Sequence, residues 1–96
     1  MISIIIPVFN SENTIETLVN NITKVLEDYY QFEVLLINDS SEDDSEKKCK
    51  QLVEKYLNVS LFSLSKNVGE HNAIMAGLNK CFGDYAVIMS DDLQHS

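Results

Sequence analysis

The chain has 96 residues, of which 45% are hydrophobic and 23% are charged. This length allows one small domain with a single core, and the composition argues against disorder. The formal net charge of -8 disfavours direct contact with nucleic acid or an anionic membrane surface, whose phosphates would repel the chain. We therefore expect a single domain over residues 1–96 with no nucleic-acid partner.

Neither the cysteines nor the apolar start of the chain indicates secretion or a membrane span. Cys49 and Cys81 lie at apolar helical positions without metal-ligand or redox spacing, so we expect two reduced core residues. The apolar residues 1–6 lack a basic flank and are followed by Pro7, which is not the pattern of a signal peptide. No apolar run approaches membrane-spanning length. These features predict a cytoplasmic protein.

Short apolar runs alternate with longer helical patterns, which predicts βαβ units around a mainly parallel sheet. Strand one should be central because it is apolar on both faces, and strand three should lie at an edge because Ser60 and Ser63 interrupt it. Strand four is expected to be buried. Right-handed crossovers then favour strand order 3-2-1-4 in a three-layer α/β/α, Rossmann-like fold. The four predicted strands cover residues 3–8, 32–37, 59–64 and 86–89.

Three helices are predicted between the strands. Ser11 or Asn13 can cap the first, and Ser41 can cap the second, whose first turn would carry the acids at 42–44. In the third helix, Gly77 predicts a close approach of the backbone to the sheet. Residues at three- and four-residue spacing should face the core. They are Ile15, Leu18, Val19, Ile22, Val25 and Leu26, then Cys49, Leu52, Val53 and Tyr56, and then Ala73, Ile74, Leu78 and Cys81.

Polar residues follow three of the predicted strands and should meet at one edge of the sheet, where open α/β sheets bind ligands. Strand two leads into Asp39, which can either accept hydrogen bonds from a ligand such as a nucleobase or serve the following turn. Strand four leads into Asp91 and Asp92. Because side chains alternate along a strand, we expect only one of this pair to face a bound ligand squarely.

The acidic pair is a candidate metal site if the ligand contains a diphosphate. A carboxylate about 4 Å from a diphosphate is repelled by roughly 4 kcal/mol per charge pair at an effective dielectric constant of about 20. Mg²⁺ or Mn²⁺, held by one carboxylate and the diphosphate oxygens, would reverse this repulsion. The same ion would stabilise charge on a departing diphosphate. We therefore expect a divalent cation with one carboxylate ligand.

Four motifs, in this order, resemble those of the inverting family-two glycosyltransferases. The third and fourth are similar to the branch that contains dolichyl-phosphate mannose synthase and bacterial polyprenyl-phosphate glycosyltransferases. The motifs are Pro-Val-Phe-Asn-Ser-Glu at 7–12, Asn-Asp-Ser-Ser-Glu-Asp at 38–43, the series Asn67, Gly69, Ala73 and Gly77, and Met-Ser-Asp-Asp-Leu-Gln-His at 89–95.

The resemblance implies the nucleotide-binding half of a GT-A fold that takes a UDP- or GDP-sugar donor, in a transferase of the hexosyltransferase class. It implies Asp92 as the metal ligand and Asp91 near the ribose or diphosphate. The acceptor would be a polyprenyl phosphate or a saccharide. The nucleotide-binding residues implied are Pro7, Val8, Phe9, Asn10, Glu12, Asp39, Gly69 and Asp91.

The family's general base is an Asp further along its catalytic domain, of which this chain covers about the first half. We therefore expect the 96-residue chain to bind a donor but not to turn it over. Any contact with a membrane would come through the lipid acceptor or through the remaining part of such a domain.

The sequence departs from the family's pattern at five positions, the last of which is Ser96, where relatives usually have Pro. Phe9 replaces the usual Tyr but keeps the aromatic wall, and Ser11 replaces the first Glu of the opening motif. Asn38 replaces an Asp and can still form hydrogen bonds. Ser90 stands where many relatives have the first carboxylate of Asp-x-Asp, so metal binding depends more heavily on Asp92.

Other function classes share part of this pattern. A receiver-like, Mg²⁺-binding signalling domain would carry an acidic pair after strand one, where this chain has residues 7–10 without a carboxylate. A nucleotidyltransferase would usually show a Gly-rich basic loop there. The short chain also fits a non-catalytic nucleotide-binding or assembly module. Without the rest of such a domain, strand four would form an apolar sheet edge, which predicts a homodimer through this edge.

Overall fold

The computed structural model describes residues 1–90, which form a four-stranded parallel sheet with helices on both faces. The strand order is β3-β2-β1-β4, and every pairing is parallel. The predicted order and the Rossmann-like α/β/α architecture are therefore confirmed. The strands are β1 (Ile2–Val8), β2 (Phe32–Asn38), β3 (Val59–Ser63) and β4 (Tyr85–Ile88), and the helices are α1 (Ile15–Leu26), α2 (Ser45–Lys55) and α3 (Glu70–Lys80).

The hydrophobic core lies on both sides of β1 and β2. Ile4 and Ile6 point to the face covered by α1 and α2, while Ile5 points with Ile37 to the face covered by α3. All four side chains are buried. Each contributes about 1.5–3 kcal/mol through its removal from water. This two-sided burial explains why β1 and β2 read as nearly continuous apolar runs.

Helix α3 packs against the sheet through its smallest residues. Ala73 and Gly77 are buried. A methyl group at Gly77 would lie 2.6 Å from Cγ2 of Ile5 and 3.2 Å from Cγ1 of Ile37. The predicted close approach at this glycine is confirmed. Leu78 was expected on the same face but is 36% exposed, because the sheet covers only the narrow strip occupied by the small residues.

Helix α1 begins later than the sequence predicted. It starts at Ile15, and the capping position is occupied by Thr14, whose side chain makes no capping hydrogen bond. The caps expected from Ser11 or Asn13 are therefore wrong. Val25 is 63% exposed, so the stripe of residues that contacts the sheet is also narrower than its periodicity predicted.

Helix α2 differs from its prediction in the same way. It starts at Ser45, so Ser41 is not its cap and the acids at 42–44 precede the helix. Glu46 is the acidic residue in its first turn. Val53, expected in the core, is 37% exposed. Ser41 and Asp43, which precede the helix, accept hydrogen bonds from the loop after β1. Sequence periodicity carries no information on such contacts between loops.

Strand β4 was expected to be buried, and this prediction is wrong. All four of its residues are exposed. Its partner is β1, and no other strand of the described chain pairs with it. Tyr85 is 73% exposed, and Val87 and Ile88 are 44% and 47% exposed. The edge position of β4 agrees with the predicted order 3-2-1-4, whereas its apolar composition was a wrong indication of burial.

Both cysteines carry thiols rather than a disulfide. Cys49 is buried in the core beneath α2, as predicted. Cys81 is only partly buried at the end of α3, where its Sγ donates to the carbonyl oxygen of Leu78 at 3.3 Å. The expectation of a core position is thus correct for the first cysteine and only partly so for the second.

Candidate functional site

The candidate site lies at the carboxyl ends of β1, β2 and β3, which we call the rim. Val8 of β1 pairs with Asn38 of β2, so the loops that follow these two strands leave the sheet side by side. We call the segments at residues 9–14, 39–44 and 64–69 the first, second and third rim loops. Parallel strands place all three at the edge of the sheet where ligands bind in this class of fold.

Asn10 joins the first rim loop to the second. Its backbone N–H donates to Oγ of Ser41 at 3.1 Å, and its Oδ1 accepts from the N–H of Glu42 at 2.9 Å. We call this pair of hydrogen bonds the Asn10 clasp. Asn10 has a φ of 50°, in the left-handed region that Asn adopts more readily than most residues. Ser40 of the second loop has a φ of 55°.

A second set of contacts continues from the clasp toward α2. The N–H of Ser11 donates to Oγ of Ser45 at 2.5 Å, and the N–H of Glu12 donates to Oδ2 of Asp43 at 3.2 Å. Asp43 also accepts from the N–H of Ser45 at 2.9 Å. Partial burial acts to raise the pKa of Asp43, but the hydrogen bonds from Ser45 and from the Glu12 backbone outweigh it and lower that pKa. The first two rim loops thus form one bonded unit.

Asp39 ties the third rim loop to this unit. Its side chain is buried, with only 3% of the residue exposed. Oδ1 accepts from the N–H of Val68 at 2.8 Å, and Oδ2 accepts from the N–H of Gly69 at 2.9 Å. Asn67 adds a bond from its side-chain amide to the carbonyl oxygen of Asp39 at 3.2 Å. These donors and the adjacent N-terminus of α3 compensate the burial of a carboxylate.

The turn role considered for Asp39 is therefore present in the structure. Gly69 has a φ of 89°, a conformation that residues with a side chain rarely adopt. Each carboxylate oxygen has two lone pairs, and each accepts one backbone N–H in these bonds. Each oxygen therefore keeps one lone pair beyond the bonds of the turn.

Asn38, at the tip of β2, belongs to a polar network that the sequence did not reveal. Its Oδ1 accepts from the N–H of Ser41 at 3.2 Å, and its Nδ2 lies 3.3 Å from Oγ of Ser63 and 3.4 Å from Oε2 of Glu46. The Ser63 hydroxyl donates to Glu46 at 2.7 Å. This hydroxyl, followed by the charge of Lys50, lowers the pKa of Glu46. In the sequence, the one sign of this network was Ser63, a polar residue that interrupts the apolar pattern of strand three.

The remaining predicted residues occupy different depths at the rim. Pro7 and Val8 are buried within β1, so their side chains contribute to the core. Phe9 follows them and is 48% exposed. Glu12 is half-buried. Asp91 and Asp92 lie outside the described residues, and within residues 1–90 no three metal-ligating side chains come together.

Comparison with known proteins decides the family. Residues 3–96 match the model of glycosyl transferase family 2. The chain belongs to this family. The resemblance carried by the four motifs is therefore confirmed, and the receiver-like alternative is set aside.

A relative within family 2 is the undecaprenyl-phosphate 4-deoxy-4-formamido-L-arabinose transferase of Pseudomonas fluorescens (strain SBW25). It is 34% identical over 96 residues, which cover 98% of this chain and 28% of that protein. The chain thus spans a little more than a quarter of the length of this curated relative.

Two solved structures show the same fold. TarS 1-349 of S. aureus, crystallised in complex with UDP-GlcNAc, has a TM-score of 0.79 and 30% identity over 95% of this chain and 26% of that chain. The mannosyltransferase PcManGT of Pyrobaculum calidifontis, in complex with GDP-Man and Mn²⁺, has a TM-score of 0.85 and 23% identity, and the match covers 95% of this chain and 27% of that chain. The four-stranded sheet with its helices is the GT-A arrangement that the motifs implied.

Proposed function

We propose that this chain forms the donor-nucleotide-binding part of a glycosyltransferase that uses a UDP- or GDP-sugar. The observation that carries the proposal is the joining of three rim loops around Asp39, with the Phe9 ring exposed beside them. A nucleotide needs an aromatic or apolar wall for its base and a few fixed polar groups for its edge. In the related TarS structure, the bound ligand is UDP-GlcNAc.

Each predicted residue receives a role consistent with its position. The exposed Phe9 ring would flank the base, and the remaining lone pairs of Asp39 would accept a base N–H. Pro7 and Val8 would contribute through the backbone, since their side chains are buried. Roles for the other residues follow the family motifs. Glu12 and Gly69 would lie around the nucleotide, Asp91 would lie near the ribose or diphosphate, and Asn10 would belong to the nucleotide site as the residue that follows Phe9.

A divalent cation, Mg²⁺ or Mn²⁺, would accompany the diphosphate, with Asp92 as its protein ligand. The net charge of -8 supports the presence of a cation, because an acidic chain would repel a diphosphate that no cation neutralises. Carboxylate and phosphate oxygens are also the ligands that these cations prefer. The cation would supply stabilisation of negative charge on the leaving diphosphate.

The complete reaction would be an inverting transfer of a hexosyl group to a polyprenyl phosphate or a saccharide. The polyprenyl choice is supported by the relative, whose name is undecaprenyl-phosphate 4-deoxy-4-formamido-L-arabinose transferase. No helix within residues 1–90 is long and apolar enough to cross a membrane. We place the reaction at the cytoplasmic face of a membrane, reached through the lipid acceptor. With the family's general base lying further along the domain, these 96 residues would bind a donor without turning it over.

The test is calorimetric titration of the chain with UDP- and GDP-sugars, with and without Mn²⁺. We expect binding that requires the metal and is lost in Asp92→Ala. Asp44→Ala is the matched control, because Asp44 is an exposed rim acid whose side chain makes no capping hydrogen bond. Binding that is indifferent to both Mn²⁺ and Asp92→Ala would remove the proposed metal ligand, and an absence of binding to either nucleotide sugar would refute the proposed function.

The exposed edge of the sheet favours a second property, self-association. Tyr85, Val87 and Ile88 of β4 are exposed, and an unpaired apolar strand is a template for pairing with another chain. We propose that two copies of the 96-residue chain pair through β4 as an assembly contact. Sedimentation should show a dimer that Val87→Lys dissociates. A monomer at the calculated mass would contradict this proposal.

A further inference from the structure

Phe9 is the aromatic residue of the three rim loops. The residue is 48% exposed, so close to half of its surface lies outside the packing of the protein. The carbonyl oxygen of Phe9 accepts from Oγ of Ser11 at 3.2 Å, and the next residue, Asn10, makes the clasp. The position of the ring therefore depends on how the backbone after it is held.

The Asn10 clasp holds this backbone from the neighbouring loop. Ser41 and Glu42 lie 31 and 32 residues further along the chain, so both hydrogen bonds are tertiary contacts. They bond Asn10 in its left-handed conformation through one backbone donor and one side-chain acceptor. The second loop is held in turn by Asn38, whose Oδ1 accepts from the N–H of Ser41. The clasp thus connects the Phe9 segment to the end of β2.

We propose that Asn10 is a positioning residue that presents the Phe9 ring to the donor's base, rather than a residue that contacts the nucleotide itself. A base binds more tightly to an aromatic side chain whose orientation is already restricted, because ordering a mobile side chain on binding costs free energy. This inference rests on the proposed function. Its distinguishing consequence is that Ser41, the other side of the clasp, affects binding as Asn10 does.

The chain contains no tryptophan, so Phe9→Trp creates a single tryptophan at the ring position, whose indole can be excited apart from the four tyrosines. Three further variants are made in this background. Asn10→Gly keeps access to the left-handed conformation but removes the acceptor, Asn10→Asp keeps an acceptor oxygen, and Ser41→Ala removes the hydroxyl side of the clasp. Fluorescence anisotropy of the free chain reports the mobility of the introduced indole, titration with UDP or GDP and Mn²⁺ reports affinity, and thermal unfolding confirms the fold.

In the free chain, we expect lower anisotropy for Asn10→Gly and Ser41→Ala than for the Phe9→Trp parent, with Asn10→Asp close to the parent. Nucleotide affinity should fall about three- to tenfold in the first two variants, the range for ordering one additional side chain on binding. Asn10→Asp should recover most of this loss. Because Ser41→Ala tests the clasp without altering Asn10, the proposal does not depend on Asn10→Gly folding.

Unchanged anisotropy and affinity in both Asn10→Gly and Ser41→Ala would overturn the proposal. A loss of affinity confined to Asn10 variants would also overturn it, since a direct contact with the nucleotide predicts that pattern. A wild-type chain that binds neither UDP nor GDP in the same titration would refute the proposed function and the stacking role with it. The anisotropy comparison, made without nucleotide, would still decide whether Asn10 restrains residue 9.

Discussion

Gly77→Ala should destabilise the protein although alanine is the better helix former. In α3, the new methyl group would lie 2.6 Å from Cγ2 of Ile5 and 3.2 Å from Cγ1 of Ile37. Ordinary carbon contacts are about 3.5–4.0 Å, so α3 or the sheet would have to move. Both isoleucines are fully buried in central strands, which leaves little space for them to shift.

The expected cost follows from two opposing effects. Overpacking a core usually costs about 1–3 kcal/mol, while exchanging glycine for alanine inside a helix returns up to about 1 kcal/mol. We expect a net loss of roughly 1–2 kcal/mol, because a 2.6 Å contact is at the severe end of the range. For a domain of this size, that loss corresponds to a fall in melting temperature of roughly 4–15 °C.

Urea and thermal unfolding followed by circular dichroism would measure the effect of Gly77→Ala. Asn79→Ala is the matched control, since Asn79 is exposed on the same helix and reports the gain in helix propensity alone. Ile5→Ala removes the nearest methyl group, so Gly77→Ala should cost less in that background. If Gly77→Ala were as stable as Asn79→Ala, the reasoning about close packing would be wrong.

Three further results are expected. Asp39→Asn should lower the free energy of unfolding by roughly 1–3 kcal/mol in urea titrations, because the new NH₂ group would face a backbone N–H, and unchanged stability would contradict the buried turn role. Folding lowers the pKa of Glu46 below its ordinary value. The stabilisation contributed by the ionised Glu46 side chain is therefore fully present above the ordinary pKa and is lost as pH falls through the lower, folded-state pKa. Ser63→Ala removes the hydroxyl that donates to Glu46, so it should raise the pKa of Glu46 in a carboxyl NMR titration. An unchanged pKa would argue against this hydroxyl as the cause of the lowered value. Cys81 should react with a thiol reagent in the native protein, whereas Cys49 should react only on unfolding, and equal rates would contradict the difference in their burial.

The strand order could be predicted from the sequence because the signals behind it are local. The alternation of apolar runs and helical periods identifies βαβ units, and the right-handed crossover rule limits how they can be arranged. The close approach at Gly77 was predictable for a similar reason. A glycine inside a helix lowers the stability of that helix, so its presence there indicates a neighbour that leaves no room for a side chain.

The helix starts and the contacts of the rim loops could not be predicted in this way. Ser41 looked like a cap because its residue type favours that position, but its hydroxyl accepts from the N–H of Asn10. The exposure of Val25 and Val53 has a related cause. A helix can carry an apolar stripe that is wider than the surface it meets, and only the assembled sheet shows that width.

The sequence by itself determined the fold class, the family and the edge of the sheet where the candidate site lies, because periodicity and motif order are properties of neighbouring residues. The tertiary structure decided what Asp39 and Asn10 do within residues 1–90. Their partners lie 29 to 32 residues away along the chain and meet them only when the parallel strands align. A hydrogen bond depends on distance and direction in space, and those are set by the packed sheet rather than by the order of residues.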